Sequence, residues 1–218
     1  MRKTIFVIEE KYHIYNRGVD KRNIFEDKED LVRFLQSMKE FNSTESIGSI
    51  HGNSFKSLEI KSTKLKLVRF VAYCLNQNHY HFILEPLVEN GVQKFMHKIA
   101  TGYTNFFNEK YKRTGSLFQG KYKSIHIGTN DYLLHLSVYI NFNNLVHENL
   151  NKSWLLQLPF SSVGEYAKQV KKDAFCDTSV ILNQYSSRVE YMRTAQSVLF
   201  DIINRKKAQK ELQDLIIE

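Results

Sequence analysis

Cysteine and proline are nearly missing from this chain: its 218 residues include two of each, with one tryptophan and nine glycines. Cys74 and Cys176 stand far apart and match no zinc-ligand or redox spacing. That excludes a zinc finger, a disulfide framework and a paired-thiol redox centre, and it reads as two ordinary buried thiols in a reducing compartment. Also missing is any stretch near the roughly 18 consecutive apolar residues of a membrane span. The opening "MRKTIFVIEEKYHIYNRG" turns charged before an apolar run is long enough for a signal peptide. The expectation is a cytoplasmic protein with no membrane partner. No internal repeat is visible.

What the chain does have is apolar residues and positive charge. Apolar residues make up 42% of it, enough for a sizeable core in one domain, with or without an appendage. Lys and Arg number 31 against 23 Asp and Glu, a formal net charge of +8 and a pI near 9.3. A balance of that sign favours a polyanionic partner such as nucleic acid, although many basic proteins bind none.

Alternation of β-branched and aromatic residues predicts a first strand over residues 5–19, closing on Gly18. Leu31, Phe34, Leu35 and Met38 then recur at helical spacing. Residues 42–57, crowded with Ser, Thr, Gly and Asn, read as a loop or insertion, extending to about residue 65. "KLVRFVAYCL" (66–75) and "HYHFILEP" (79–86) flank the polar "NQN" as a hairpin. Residues 90–111 form a second amphipathic helix, and "GSLFQGKYKSIHIG" alternates again from Leu117. Thr129, Asn130 and Asp131 open a capped helix over 129–147. Pro159 marks a break, and residues 178–218 look helical. Strand, helix, strand, strand, helix, strand, helix predicts an α+β domain, residues 1–150, with a mostly antiparallel sheet and helices on one face. A helical C-terminal extension, 151–218, follows it.

The sharpest local signal is "NHYHF". In a strand, residues two apart share a face, so His79 and His81 project together while Tyr80 and Phe82 point the other way. Two neighbouring imidazoles can grip one metal ion. Alone, such a pair is more often surface or satisfied core histidine. His135, Tyr139 and Asn143, successively four residues apart, would share one helical face, where a phenol and an amide carbonyl could approach that ion. Hard oxygen donors suit Mg²⁺ or Mn²⁺. The plainer alternative for Tyr139 is a core-facing tyrosine of an amphipathic helix.

Five stretches in order, "YHIYNRG", "FVAYCLNQNHYHFILEP", "FNEKYKRTGSLFQGKYKS", "YLLHLSVYINFNN" and "LPFSSVGEY", resemble the single-tyrosine transposases of the HUH superfamily. The similarity is greatest to the REP-associated tyrosine transposases and their small insertion-sequence relatives, and it runs from about residue 10 to residue 166. It implies a ferredoxin-like (HUH/RRM-like) sheet and a metal-dependent enzyme. Such an enzyme nicks and rejoins single-stranded DNA, near hairpin-forming repeats, through a 5′-phosphotyrosine. By the same resemblance His79 and His81 bind the divalent metal, Mg²⁺ or Mn²⁺, Asn143 is its polar ligand and Tyr139 is the nucleophile. Two positions depart from the family pattern: Gln77 and Asn78 lack the proline often found before the histidines, and Asn144 stands where relatives commonly carry proline. Tyr103, also on a helix after the histidines, is a competing nucleophile that reads more simply as packing. His135, a DNA phosphate or water could serve as base. Relatives give a lean toward a homodimer.

For holding DNA, "NEKYKRTGSLFQGKYKS" interleaves Lys110, Lys112, Arg113, Lys121 and Lys123 with Tyr111, Phe118 and Tyr122, the mixture of a phosphate-tracking, base-stacking surface. Cations and Tyr122 here are the expected DNA contacts; a solvated basic face over core aromatics is the alternative. Gln119 and Gly120 match the family without an evident task. Two other function classes stay open: a non-catalytic DNA-binding protein of the same fold, and a small-molecule metal enzyme. The basic charge and the lack of a third His or acidic ligand disfavour the second of these.

Overall fold

The computed structural model describes residues 4–46, 65–146, 160–168 and 174–216; of the insertion expected at 42–65, residues 47–64 fall outside them. Elements follow in the order β1 (Tyr12–Arg17), α1 (Lys28–Glu40), β2 (Val68–Asn76), β3 (His79–Pro86), α2 (Gly91–Lys110), β4 (Lys123–His126), α3 (Asn130–Asn141) and α4 (Asn143–Val146). Three more helices close the chain: α5 (Val163–Ala167), α6 (Ser179–Leu182) and α7 (Arg188–Ile216). The four strands form one sheet in the order β2-β3-β1-β4, every pair antiparallel. This is the ferredoxin-like βαββαβ arrangement with β1 and β3 at its centre.

Side-chain alternation sorts the strands into two faces. Tyr12, Ile14, Phe70, Tyr73, Leu75, Tyr80, Phe82 and Leu84 point into a core closed by α1 and α2, through Leu31, Phe34, Met38, Phe95, Ile99 and Tyr103. An Asp27–Asp30 capping box starts α1, with Asp30 N–H donating to Asp27 at 3.0 Å and Asp27 N–H to Asp30 at 3.3 Å. At the start of α2, a Cβ on Gly91 would lie 2.2 Å from the Leu67 carbonyl oxygen, so only glycine lets the helix begin against the chain entering β2.

Helices are not confined to the expected face. Val71, Ala72, Cys74 and Ile83 point the other way, and this apolar strip over β2 and β3 is covered by Leu133, Leu136, Tyr166, Ile181, Tyr191 and Ala195. The extension therefore packs on the sheet. A bulge between Phe70 and Ala72 turns both Val71 and Ala72 toward it. Residues 160–162 also run along the outer edge of β2, where Leu75 N–H donates to the Phe160 carbonyl at 2.6 Å and Ser162 N–H to the Tyr73 carbonyl at 3.0 Å. That edge would otherwise expose unpaired backbone groups.

Several boundaries differ from the sequence reading; the last strand begins at Lys123 rather than Leu117, and the helical stretch expected over 178–218 is split in two. The first strand begins at Tyr12, not residue 5, because the Tyr12 hydroxyl donates to the Ile5 carbonyl at 3.1 Å and accepts from Val7 N–H at 2.8 Å, curling the segment, with Glu9 at φ 69°. The helix expected over 129–147 opens as predicted, with the Thr129 hydroxyl accepting from Tyr132 N–H at 3.3 Å, but ends at Asn141 and resumes at Asn143. Buried polar side chains on both sides of Phe142 mark the interruption: Asn141 and Asn143 are each 0% exposed.

Candidate active site

The β2–β3 turn, Gln77-Asn78, is closed without a residue of positive φ, although two-residue hairpins favour one. Outside contacts supply the missing support. Gly18 N–H donates to the Asn78 carbonyl at 2.8 Å, and Ile24 and Phe25 N–H both donate to the Gln77 carbonyl, at 2.8 and 3.1 Å. The first residue after this clamped turn is His79, so its backbone is fixed from two sides.

The pairing register then sets three rows on one face of the sheet. Asn76, His79 and Arg17 are neighbours in the first; Cys74, His81, Tyr15 and Lys123 cross all four strands in the second; Ala72, Ile83, His13 and Ile125 form the third. His79 and His81 do share a face, with rings 5.1 Å apart and nearly perpendicular. Nδ1 of His79 lies 2.6 Å from Asn78 Oδ1, and its Nε2 lies 3.0 Å from Asn76 Nδ2 and 3.4 Å from Asn143 Oδ1. An amide oxygen only accepts and an amide nitrogen only donates, so this pattern puts the His79 proton on Nδ1 and the lone pair on Nε2. His81 Nδ1 lies 2.9 Å from Nε2 of His13, a buried residue that sequence reading did not single out. Burial pushes the His13 imidazole down to about 4, which keeps it neutral at physiological pH.

Tyr139, on α3, comes to this same face. Its ring meets that of His81 edge to face, centroids 5.9 Å apart. Burial raises the Tyr139 hydroxyl above its ordinary value, opposed by the Asn143 amide beside it. Asn143, just past the helix break, accepts from Asn76 Nδ2 through Oδ1 at 2.8 Å. Its Nδ2 is buried on the side of the Tyr139 hydroxyl without a well-formed hydrogen bond, while the oxygen stays aimed at the histidine side. His135, one turn before Tyr139, is exposed.

Whether these residues suit a divalent cation is a question of donors. Among the described residues no group of three His, Cys, Asp or Glu gathers in one place, so the side-chain candidates for a third ligand beside the two histidines are amide and phenol oxygens. Asn143 Oδ1 is such a donor. Adjacent ligands of an octahedral ion at 2.0–2.1 Å stand about 3 Å apart, close to the 3.4 Å between His79 Nε2 and Asn143 Oδ1. Both atoms already turn their lone pairs toward one electropositive group, the Asn76 amide nitrogen. Of these donors the amide oxygen is the hard kind that suits Mg²⁺ or Mn²⁺.

Tyr103 lies elsewhere. It is 0% exposed in the core on the opposite face, donates its hydroxyl to the Ile24 carbonyl at 2.5 Å, and burial holds its proton far above the usual range. It packs, as the simpler reading had it.

The basic segment divides. Lys110 is held by carboxylates of the protein itself, with Nζ 2.8 Å from Asp27, 2.9 Å from Glu29 and 2.9 Å from the fully buried Asp30. Tyr111 donates to Asp30 at 2.8 Å. Phe118 is buried and Tyr122 half-buried against the core on α1 and α2's side. Arg113 is partly committed, at 2.7 Å to Asn108 Oδ1. Lys112 and Lys121 are exposed. Lys123 alone of the six expected contacts stands in a histidine's row, its Nζ 5.9 Å from the centre of the Tyr15 ring. Gln119 and Gly120 acquire tasks: Gln119 N–H extends β1 by donating to the Arg17 carbonyl at 2.8 Å, its side chain holds the exposed Arg17 guanidinium, and Gly120, at φ 63°, accepts from Asn16 Nδ2 at 3.2 Å. Arg17, Tyr15, His13, Asn76 and Asn78 were missed, because each enters through cross-strand register or turn geometry.

The family model for IS200-like transposases matches residues 6–143. None of the curated proteins matches the chain significantly. Among solved structures, that of a REP-associated tyrosine transposase bound to a REP hairpin is similar over 76% of this chain and 83% of its own, at 12% identity and a TM-score of 0.49. No helix among the described residues is long and apolar enough to cross a membrane.

Proposed function

Because the chain belongs to the IS200-like transposase family, we propose that it nicks single-stranded DNA at hairpin-forming repeats through Tyr139 and reseals it by strand transfer. One observation carries this reading. Tyr139 from α3, His79 and His81 from β3 and Asn143 from α4 meet at one place on the sheet, although the tyrosine and the histidines are far apart in sequence.

A phosphodiester resists attack because its charged oxygens repel nucleophiles and its leaving alkoxide is strongly basic. Mg²⁺ or Mn²⁺ held by His79, His81 and Asn143 would supply Lewis acidity to the scissile phosphate. The phenol of Tyr139 is protonated at neutral pH and must release that proton on attack. The Oη–phosphorus bond forms as the phosphorus–O3′ bond breaks, and the departing 3′ oxygen takes up a proton. The DNA 5′ end is then joined to Tyr139, and the enzyme conserves the energy of the broken bond. A second 3′-hydroxyl can therefore displace Tyr139 and rejoin DNA without a nucleotide cofactor. Hydrolysis by water would forfeit that. His81 packed edge-on against the Tyr139 ring restricts how the phenol can swing, which serves in-line attack.

On the open half of the face, Arg17 and Lys123 flank Tyr15 beside the histidines. This strip is where the cut strand would lie, two cations for phosphates and one ring for a base.

The test incubates the full chain with labelled single-stranded DNA carrying hairpin repeats and Mn²⁺ and looks for a covalent adduct. Adduct from wild type and Tyr103→Phe, with none from Tyr139→Phe, is the expected outcome. Undiminished adduct with Tyr139→Phe rejects the nucleophile. Tight hairpin binding with no adduct from wild type would turn the reading to a non-catalytic DNA-binding protein.

A further inference from the structure

Behind the histidine pair lies a third imidazole, that of the buried His13. His13 reaches diagonally from β1 to His81, with Nε2 2.9 Å from His81 Nδ1 and the rings stacked at 5.1 Å. Both are nearly sealed, 6% and 8% exposed, and Tyr15 stacks against each, at 4.8 and 5.6 Å. One proton lies between the two nitrogens, and its owner decides what His81 can do. If His13 donates it, a neutral His81 must carry its own hydrogen on Nε2 and has no lone pair left for a ligand. With His81 as donor, Nε2 keeps its lone pair. His79 is already fixed in that second state by Asn78 and Asn76.

We propose that His13 is the positioning residue of the site, accepting the Nδ1 proton of His81 and so holding the His81 Nε2 lone pair available to the divalent ion. The inference rests on the metal-binding reading above. Ligating histidines characteristically donate their other ring N–H to a fixed acceptor, which sets tautomer and orientation. Here Asn78 does this for His79, and His13 does it for His81. An ordinary buried polar pair would be indifferent to which ring holds the proton.

Two measurements test the role. Long-range ¹H–¹⁵N spectra of the metal-free full chain, labelled on histidine, report the tautomer of each ring; the expected state is Nδ1–H for His81 with His13 Nε2 unprotonated. Mn²⁺ titration, read by the signal of free Mn²⁺, should weaken about 10- to 100-fold in His13→Leu, the range seen when such outer partners are lost. His13→Gln, which restores an acceptor oxygen, should recover most of that affinity. If His13→Leu does not fold by circular dichroism, the tautomer spectrum and His13→Gln decide. An Nε2–H tautomer at His81 in the wild type, or unchanged Mn²⁺ affinity in a folded His13→Leu, overturns the proposal. Should the wild type bind no Mn²⁺ at all, the metal-binding reading falls, and the tautomer spectrum still decides whether His13 sets the state of His81.

Discussion

The two faces of this sheet are built from the same strands and serve opposite ends. On one, Tyr80 and Phe82 disappear into an aromatic core with Phe34 and Tyr103. On the other, the residues between and beside them, His79 and His81, meet Tyr139, Asn143 and His13. A shift of one residue along β3 would exchange the two populations completely. Chemistry on such a scaffold depends on register as well as on the identity of each residue. It explains why the turn before His79 is pinned by Gly18, Ile24 and Phe25 rather than left to its own propensity.

The tyrosines give the most forceful way to break that comparison. Tyr139→Phe should abolish covalent adduct while leaving the melting temperature within a few degrees. Tyr103→Phe should keep the adduct and lose about 1 kcal/mol of stability, since its hydroxyl satisfies the Ile24 carbonyl in the core. Denaturant unfolding together with gel analysis of the adduct separates the two, and the opposite assignment of effects would mean that the faces have been misread.

Next in size is the carboxylate cluster under Lys110. Lys110→Met leaves the buried Asp30 short of its cation and should cost about 3 kcal/mol. The pH dependence is specific. Despite some burial, hydrogen bonds from Lys110 and the Asp30 backbone hold Asp27 below its ordinary value, and partners Asp27, Glu29 and Asp30 hold Lys110 above its own. A lowered carboxylate favours the folded state above its unfolded pKa of about 3.9 and loses that contribution as pH falls through the lowered value. A raised ammonium contributes fully below about 10.4 and fades only in strong alkali. The stability gap between wild type and Lys110→Met should therefore be widest near neutrality and close in acid below about pH 4. Urea midpoints measured across pH would show it.

His13 provides an acid response on the other face. Its folded value of about 4 lies below the ordinary imidazole value of 6.5, so the unfolded chain takes up the proton first. Stability present above pH 6.5 should drain away between there and about 4, and a folded His13→Gln variant should lack that drop. Equal acid sensitivity in the two proteins would count against neutral His13.

The smallest expected effect concerns DNA. Lys123→Ala should lower single-stranded DNA affinity and reduce the log–log salt slope by about 0.7, the loss of one phosphate contact, without changing stability. Lys110→Met should leave that slope alone. If both variants reduce it equally, the basic segment acts as one surface after all.

Much of this was readable beforehand because it depends on short-range periodicity. The alternation through β3 puts His79 and His81 on one side, and Thr129 announces the helix that carries Tyr139. Asn143 was reached for a partly different reason: the helix breaks at Phe142, yet the residue after the break still turns toward the histidines. Contacts set by strand pairing were not readable. His13 meets His81 only because β1 lies beside β3 in one register, and Arg17 reaches the site by the same pairing. Nor does composition distinguish Lys110, consumed by α1, from Lys123 on the open face; the two read alike until Asp27 and Asp30 are in place.

The residue two positions after Tyr139 ties α3 to chain made much later: Asn141 accepts from the Ser162 hydroxyl at 2.6 Å and donates to the Tyr191 hydroxyl at 3.0 Å. On the ribosome, a nascent chain would display every residue of the proposed chemistry well before residue 191 emerges. It would still lack the latch on the helix that bears its nucleophile. The order of synthesis thus sets the fastening of α3 after the emergence of every residue of the proposed chemistry.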